Sequence, residues 1–284
     1  MQQSTNSCNR KISVPGNPLW NTRFKSCVFA DDIAEELCGK FRDAELLLQN
    51  STIIKNSRST TAGIFHLHGI DYFIKRSNVN SFFERVKRIG RTPRALRSYH
   101  ISAFLEKLGV RVPRVFMAMT TLPGGLPGAS YLITEAFPQP MTVSNNLPRL
   151  LEFYGSCEKT AQAIADLAHK VHDAGLEHGD FKLNNILFAD HADNSFELGL
   201  FDFDGTILHR TSCSYKVRCR ELARIASSYF LRGCDLAFCT GKDAGENARM
   251  WAKAYARGGK FDFAGDKTYM RRYEDFLKAG KKKV

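Results

Sequence analysis

Two short stretches in the second half of the chain limit what it can fold into more than any bulk property does. His178-Gly179-Asp180-Phe181-Lys182-Leu183-Asn184-Asn185 follows a helical pattern and leads into an apolar strand, and Leu200-Phe201-Asp202-Phe203-Asp204-Gly205 ends the next apolar run. Asp180 and Asn185 lie five positions apart, and Asn185 and Asp202 seventeen, enough for a hairpin that returns the second carboxylate to the first loop. Phosphoryl transfer needs a group that accepts the proton of the attacking hydroxyl and a metal site that neutralises phosphate oxygens. A D-x4-N loop followed by an acid on the next hairpin supplies both. The spacing makes Asp180 the candidate base and Asn185 and Asp202 the candidate magnesium ligands, while Lys182 would set a cation beside the transferring phosphate.

The rest of the chain supports a two-lobed α+β reading. Residues 1–25 are polar, contain Pro15, Gly16 and Pro18, and read as a loose leader. Residues 26–137 read as a β-rich N-lobe: Ser51 to Lys55 and Ile64 to Arg76 pattern as strands around a Ser59-Thr60-Thr61-Ala62-Gly63 turn. Thr92-Pro93 would open a helix carrying Ile101, Phe104, Leu105 and Leu108, closed by Gly109. Val115 to Met119 and Tyr131 to Glu135 are two further strands. Residues 138–284 read as a helical C-lobe. Ala161, Ile164, Ala165, Ala168, Val171 and His172 form one apolar stripe, closed by Gly175; Leu222, Ile225, Ala226 and Tyr229 form another, closed by Gly233. Ile186 to Phe188 and Leu198 to Phe203 make a second hairpin between these helices. Lys281-Lys282-Lys283 reads as a solvated tail.

Charge narrows the partners. Forty-one Lys and Arg against 29 Asp and Glu leave a net charge of +12, which favours anionic ligands. Nucleic acid is not expected, because basic and aromatic residues do not interleave on a recognisable module. The eight cysteines form no CxxC pair, so neither a zinc site nor a disulfide framework is supported and a reducing cytoplasm fits best. The sequence shows neither a signal-peptide run nor a membrane-spanning stretch.

In the N-lobe, Lys75 ends the Tyr72-Phe73-Ile74 strand and suits the phosphates of ATP. The turn ending at Gly63 would cover those phosphates with backbone N–H groups, although it lacks G-x-G-x-x-G. Glu135, at the junction of the lobes, would lend backbone groups to adenine.

In this order, Lys75, the helix running into Gly109-Val110-Arg111-Val112-Pro113, Tyr131-Leu132-Ile133-Thr134-Glu135, His178-Gly179-Asp180 with Asn185, and Phe201-Asp202-Phe203-Asp204 resemble the bacterial lipopolysaccharide core kinases, the heptose and Kdo kinases. The resemblance covers about residues 50–235, including the helix that holds Glu221-Leu222-Ala223-Arg224. It implies a protein-kinase-like fold, ATP and Mg2+, and a sugar hydroxyl of the lipopolysaccharide inner core or another anionic sugar as acceptor. It also implies work in the cytoplasm with peripheral contact at the inner membrane. The sequence departs from protein kinases in three respects: no glutamate is assigned to pair with Lys75, Phe203-Asp204-Gly205 is not their DFG, and no APE-like segment follows.

A rival reading takes Asp202-Phe203-Asp204-Gly205-Thr206 as the D-x-D-G-T motif of haloacid-dehalogenase-type phosphatases, with Asp202 as nucleophile and Asp204 as acid/base. Leu236 to Gly241 and Gly265-Asp266 would be its later motifs. Only 82 residues follow Asp202, and 26 positions separate Thr240 from Asp266, too few for the strands and helix such a fold requires. A non-catalytic pseudokinase is a third reading, opposed by the presence of base and metal ligands.

Overall fold

The computed structural model describes residues 24–30, 33–138, 141–191, 195–236, 243–256 and 261–281. The described chain divides into two compact units: residues up to Phe104 with Pro113–Phe137, and Leu105–Val112 with the residues from Pro138 onward. The leader up to residue 23, most of the Leu236 to Gly241 segment and the Lys282-Lys283 tail lie outside the described residues; Phe24 and Lys25 belong to the first strand.

The first unit runs β1 (Phe24–Phe29), α1 (Glu35–Arg42), α2 (Ala44–Gln49), β2 (Thr52–Asn56), β3 (Thr60–Leu67), β4 (Ile70–Ser77), α3 (Phe82–Lys87), α4 (Arg94–Lys107, whose residues from Leu105 on count with the second unit), β5 (Val115–Thr121) and β6 (Ser130–Glu135). The strands form a six-stranded antiparallel sheet in the order β1-β5-β6-β4-β3-β2. Period-two alternation decides its buried face. In β4, Tyr72 and Ile74 are buried, whereas Phe73 and Lys75 on the other face are partly open. Phe41 of α1 meets Tyr72 edge-on with centroids 5.2 Å apart, and Phe65 of β3 stacks on Tyr72 at 5.3 Å. Ala44 and Leu48 of α2 join this layer. Each such large side chain contributes about 1.5–3 kcal/mol on burial, so this layer fixes the face that β3 and β4 present.

Two expectations change here. Ile64 to Arg76 is two strands, because His68 (φ +53°) and Gly69 (φ +79°) form a turn inside it. Ser59 to Gly63 is accordingly mostly strand rather than turn: Gly63 pairs with Ile53 and Ile74, and a Cβ there would collide with Ser51. The β2–β3 reversal falls at Ser57 to Ser59, where Thr60 N donates to Ser57 Oγ at 3.2 Å. Ser and Thr suit turns and strands alike, so composition alone misplaces this boundary. The helices α1, α2 and α3, each eight residues or fewer, are also additions, too short for a 3.6-residue period to register.

The second unit contains α5 (Leu147–Tyr154), α6 (Cys157–Asp173), β7 (Leu176–Glu177), β8 (Ile186–Asp190), β9 (Phe196–Leu200), β10 (Ile207–Leu208), α7 (Tyr215–Asp235), α8 (Ala244–Ala256) and α9 (Lys267–Lys281). Ser156 caps α6 by accepting from Lys159 N at 3.1 Å, and Gly175 (φ +84°) follows its end. The stripe Ala161, Ile164, Ala165, Ala168 and Val171 is fully buried. Tyr229 of α7 meets Trp251 of α8 at 5.3 Å. Gly233 does not close α7; it lies buried within its last turn. No helix among the described residues is long and apolar enough to cross a membrane.

Candidate active site

The two motif loops occupy one end of two strand pairs. In one pair β7 and β10 run antiparallel, with Glu177 opposite Ile207; in the other β8 and β9 form the expected hairpin, with Ile186 opposite Leu200. The loops between them, residues 178–185 and 201–206, are tied side by side. His178 Nε2 lies 3.1 Å from the Phe201 carbonyl, Thr206 Oγ1 donates to the His178 carbonyl at 3.0 Å, and Phe201 N donates to the Asn185 carbonyl at 3.3 Å. Gly179 (φ +86°) lies so close to the Gly205 backbone that a Cβ would strike it, which explains glycine at this position.

Asp180 is clamped. Lys182 Nζ lies 2.6 Å from its Oδ2, Arg224 places Nε and Nη2 3.3 and 3.2 Å from Oδ1, and Asn185 Nδ2 donates to Oδ2 at 3.2 Å and to the Asp180 carbonyl at 2.8 Å. Partial burial pushes the Asp180 carboxyl upward, but the hydrogen bonds and charges of Lys182 and Arg224 outweigh it and hold it below the usual aspartate value. The structure thus brings Asp180, Lys182 and Asn185 together.

Arg224 is a contributor that sequence reasoning placed only in a family-like helix. Glu221, one turn earlier on α7, is another. Its buried carboxylate accepts from the main-chain N–H groups of His178, at 2.9 Å, and Gly179, at 2.5 Å, and lies 3.0 Å from His172 Nε2. Burial raises the Glu221 pKa, but the His172 and His178 interactions bring it below its ordinary value. Behind it, Tyr255 Oη lies 2.8 Å from His172 Nδ1, and Arg218 donates to Tyr255 Oη at 2.9 Å and to Asp173 at 2.6 Å. The sequence signal for this network was charge at i and i+3, Glu221 and Arg224, beside the apolar stripe of Leu222, Ile225, Ala226 and Tyr229. His178 itself is fully buried and stacks on Phe181 at 5.2 Å; burial lowers its pKa and keeps the ring neutral near pH 7.

Asp202 follows the Phe201 link and has φ +63°. The left-handed region costs a non-glycine residue of order 1–3 kcal/mol, least for Asp and Asn, and such conformations concentrate at functional sites. Asn185 commits its Nδ2 to Asp180, so its Oδ1 is the end suited to a cation, and with the Asp202 carboxylate it offers hard oxygen donors. This donor set fits Mg2+, which takes one or two protein ligands and completes its shell with water and phosphate. Among the described residues no three His, Cys, Asp or Glu side chains form a metal cage by themselves.

Lys75, Gly63 and Glu135 lie in the other unit. Lys75 of β4 stands opposite Ala62 and Leu132, Gly63 is the next residue along β3, and Glu135 at the end of β6 stands opposite Tyr72. Glu135 N donates to the Arg114 carbonyl at 2.8 Å, and its Oε2 accepts from Arg114 N at 3.2 Å.

The phosphatase reading fails on the fold. Asp202 to Thr206 sits on a short turn between two antiparallel pairs, and apart from the isolated Arg111–Gly199 bridge every described strand pairing is antiparallel. The sheet of alternating strands and helices that such an enzyme needs is not what this motif is built on.

No curated protein matches the chain. Among solved structures, one described as WaaP in complex with acyl carrier protein is similar with a TM-score of 0.60 and 15% identity, covering 89% of this chain and 98% of that one. The α+β architecture, sheet first and helices after, matches that kinase-like fold. The sequence profile of the lipopolysaccharide kinase (Kdo/WaaP) family matches residues 51–249, well over half the length. The chain belongs to the lipopolysaccharide kinase (Kdo/WaaP) family and is a phosphotransferase with a sugar hydroxyl as acceptor.

Proposed function

We propose that this kinase moves the γ-phosphoryl group of ATP to a hydroxyl of a heptose or Kdo sugar in the lipopolysaccharide inner core. The observation that carries the reading is the clamp on Asp180, set on a loop tied through Phe201 to Asp202. Asp180 orients the acceptor hydroxyl. With its pKa held low it is a weak base, so it accepts the proton late, once the bond to phosphorus has begun to form, as a loose transition state allows. Lys182 and Arg224 neutralise Asp180 beforehand, and Lys182 then follows the phosphoryl group. Asn185 and Asp202 would hold Mg2+, which would supply positive charge against the phosphate oxygens. The first unit serves as the nucleotide lobe: Lys75 orients phosphates, the β2–β3 hairpin with Gly63 covers them, and backbone groups at Glu135 receive the adenine. The second unit carries the catalytic and metal loops. The acceptor is lipid-linked, so the enzyme works from the cytoplasm at the inner-membrane surface, and the net charge of +12 suits an acceptor rich in phosphate and carboxylate.

The test is transfer of labelled phosphate from ATP to truncated lipopolysaccharide, with magnesium-dependent ATP binding measured in the same samples. Asp180→Ala and Asp202→Ala are each expected to abolish transfer, Asp202→Asn to remove the magnesium dependence of binding, and Asp204→Ala to leave a measurable rate. Full turnover by Asp180→Ala, or no ATP binding by the native protein, would overturn the assignment.

A further inference from the structure

The helix α3 is turned inside out. Phe82, Phe83 and Val86 of the helix and Ile89 in the turn that follows it all face solvent: Phe82 is 63% exposed, Phe83 77%, Val86 42% and Ile89 57%. No residue of this helix is buried. Its polar face does the anchoring instead. Ser81 caps the helix by accepting from Glu84 N at 3.2 Å, the Glu84 carboxylate accepts from Asn80 N at 2.9 Å, and Arg88 donates to the Asn78 carbonyl at 3.2 Å. An amphipathic helix ordinarily buries the opposite face. A contiguous group of large exposed apolar side chains marks a surface that something covers.

Charge says what covers it. On the helical wheel Arg85 and Lys87 flank the apolar ridge on its two sides, and residues 85–97 hold Arg85, Lys87, Arg88, Arg91, Arg94 and Arg97 without one acidic residue. Apolar and aromatic side chains bordered by Lys and Arg are the composition of helices that lie in a bilayer interface, where the ridge enters the acyl boundary and the cations meet lipid phosphates. A second copy of the chain would bring two basic patches together and repel.

We infer that the Phe82, Phe83, Val86 and Ile89 ridge, with its border of Arg85 and Lys87, is a docking surface for an anionic phospholipid bilayer. The inference deepens the proposed function, resting on it only for the idea that the acceptor is lipid-linked; the binding itself needs neither acceptor nor nucleotide. Each cation near an anionic leaflet strengthens binding about fivefold, and the surface weakens as salt screens it.

The experiment is sedimentation of the full chain with sucrose-loaded vesicles of phosphatidylcholine alone or mixed with phosphatidylglycerol, containing neither lipopolysaccharide nor ATP. The native protein is expected to pellet with the phosphatidylglycerol vesicles and far less with the neutral ones. Phe82→Ser with Phe83→Ser is expected to weaken that binding about tenfold or more, and Lys87→Glu with Arg91→Glu to remove the preference for anionic lipid. These residues are exposed, and circular dichroism checks that both variants fold. On a water-soluble, delipidated core oligosaccharide the serine pair is expected to keep the native rate, so failure of docking and failure of the kinase assignment are separately visible. Equal pelleting of native protein and serine pair would overturn the inference. So would native protein that ignores both vesicles yet binds poly-glutamate through Phe82 and Phe83, which would point to an acidic protein partner.

Discussion

If Asp180 takes the proton from a hydroxyl, as proposed, it works against its own surroundings, because two cations flank it. Lys182 and Arg224 favour ionised Asp180, and the cost is weaker basicity; the gain is that at any pH above the acidic range the group is charged and aimed. The sign of the pH effect follows. A depressed pKa in the folded state contributes stability that is present above the unfolded aspartate value of about 3.9 and is lost as pH falls through the folded value. Arg224→Gln removes one cation and leaves a shorter, neutral polar side chain. The Asp180 pKa is expected to rise, read by carbon-13 NMR of labelled aspartate, and the acidic limb of kcat/KM to move to higher pH. An unchanged titration would mean that Lys182 alone sets the ionisation and that Arg224 serves another purpose.

At the scale of elements, α7 does more than fill the core. The Glu221 carboxylate receives two consecutive main-chain N–H groups at the start of the loop that carries Asp180, so the loop's path is set by a helix whose next turn supplies Arg224. Hydrogen bonds to a buried charge contribute about 1.5–3 kcal/mol, and removing one partner leaves the other unsatisfied. Glu221→Gln, which can still accept but has lost the charge, is expected to lower stability by about 2 kcal/mol. Glu221→Ala, which strands His172 and both amides, is expected to lower it by about 3–5 kcal/mol. Chemical denaturation measures both. A positioning role further requires that kcat fall in Glu221→Gln while the KM for ATP holds; a purely structural role would leave kcat of the folded fraction unchanged. The elements legible in the sequence were those with a long period or a sharp stop, such as α6 with its stripe and Gly175, or the β8–β9 hairpin between two motifs. The β3–β4 turn was hidden because His68 and Gly69 interrupt one apolar run with only two residues. The inverted α3 was hidden because its apolar residues obey no core. Within the site, the Asp180, Lys182 and Asn185 cluster followed from local spacing, whereas Glu221 and Arg224 reach it from about 40 residues away through a fold that periodicity does not encode.

For the whole molecule, the excess of cations is a statement about approach and capture rather than about fold. An anionic glycolipid is drawn toward such a surface over distances comparable with the Debye length, about 8 Å at physiological salt and about 3 Å at 1 M. The groups around Asp180 act at hydrogen-bond range, where mobile ions screen far less, so binding and chemistry respond differently to salt. Raising salt from about 0.05 M to about 0.5 M shortens the Debye length roughly threefold. Under that change the KM for a soluble, phosphate-bearing core oligosaccharide is expected to rise by about tenfold and kcat to change by less than about twofold. Steady-state kinetics at fixed saturating ATP and magnesium separates the two constants. A KM that ignores salt would mean that the positive surface takes no part in capturing the acceptor and serves the bilayer alone. A kcat that falls in step with rising KM would mean that screening reaches the Asp180 clamp itself, and that the loop is more open to solvent during turnover than its resting hydrogen bonds suggest.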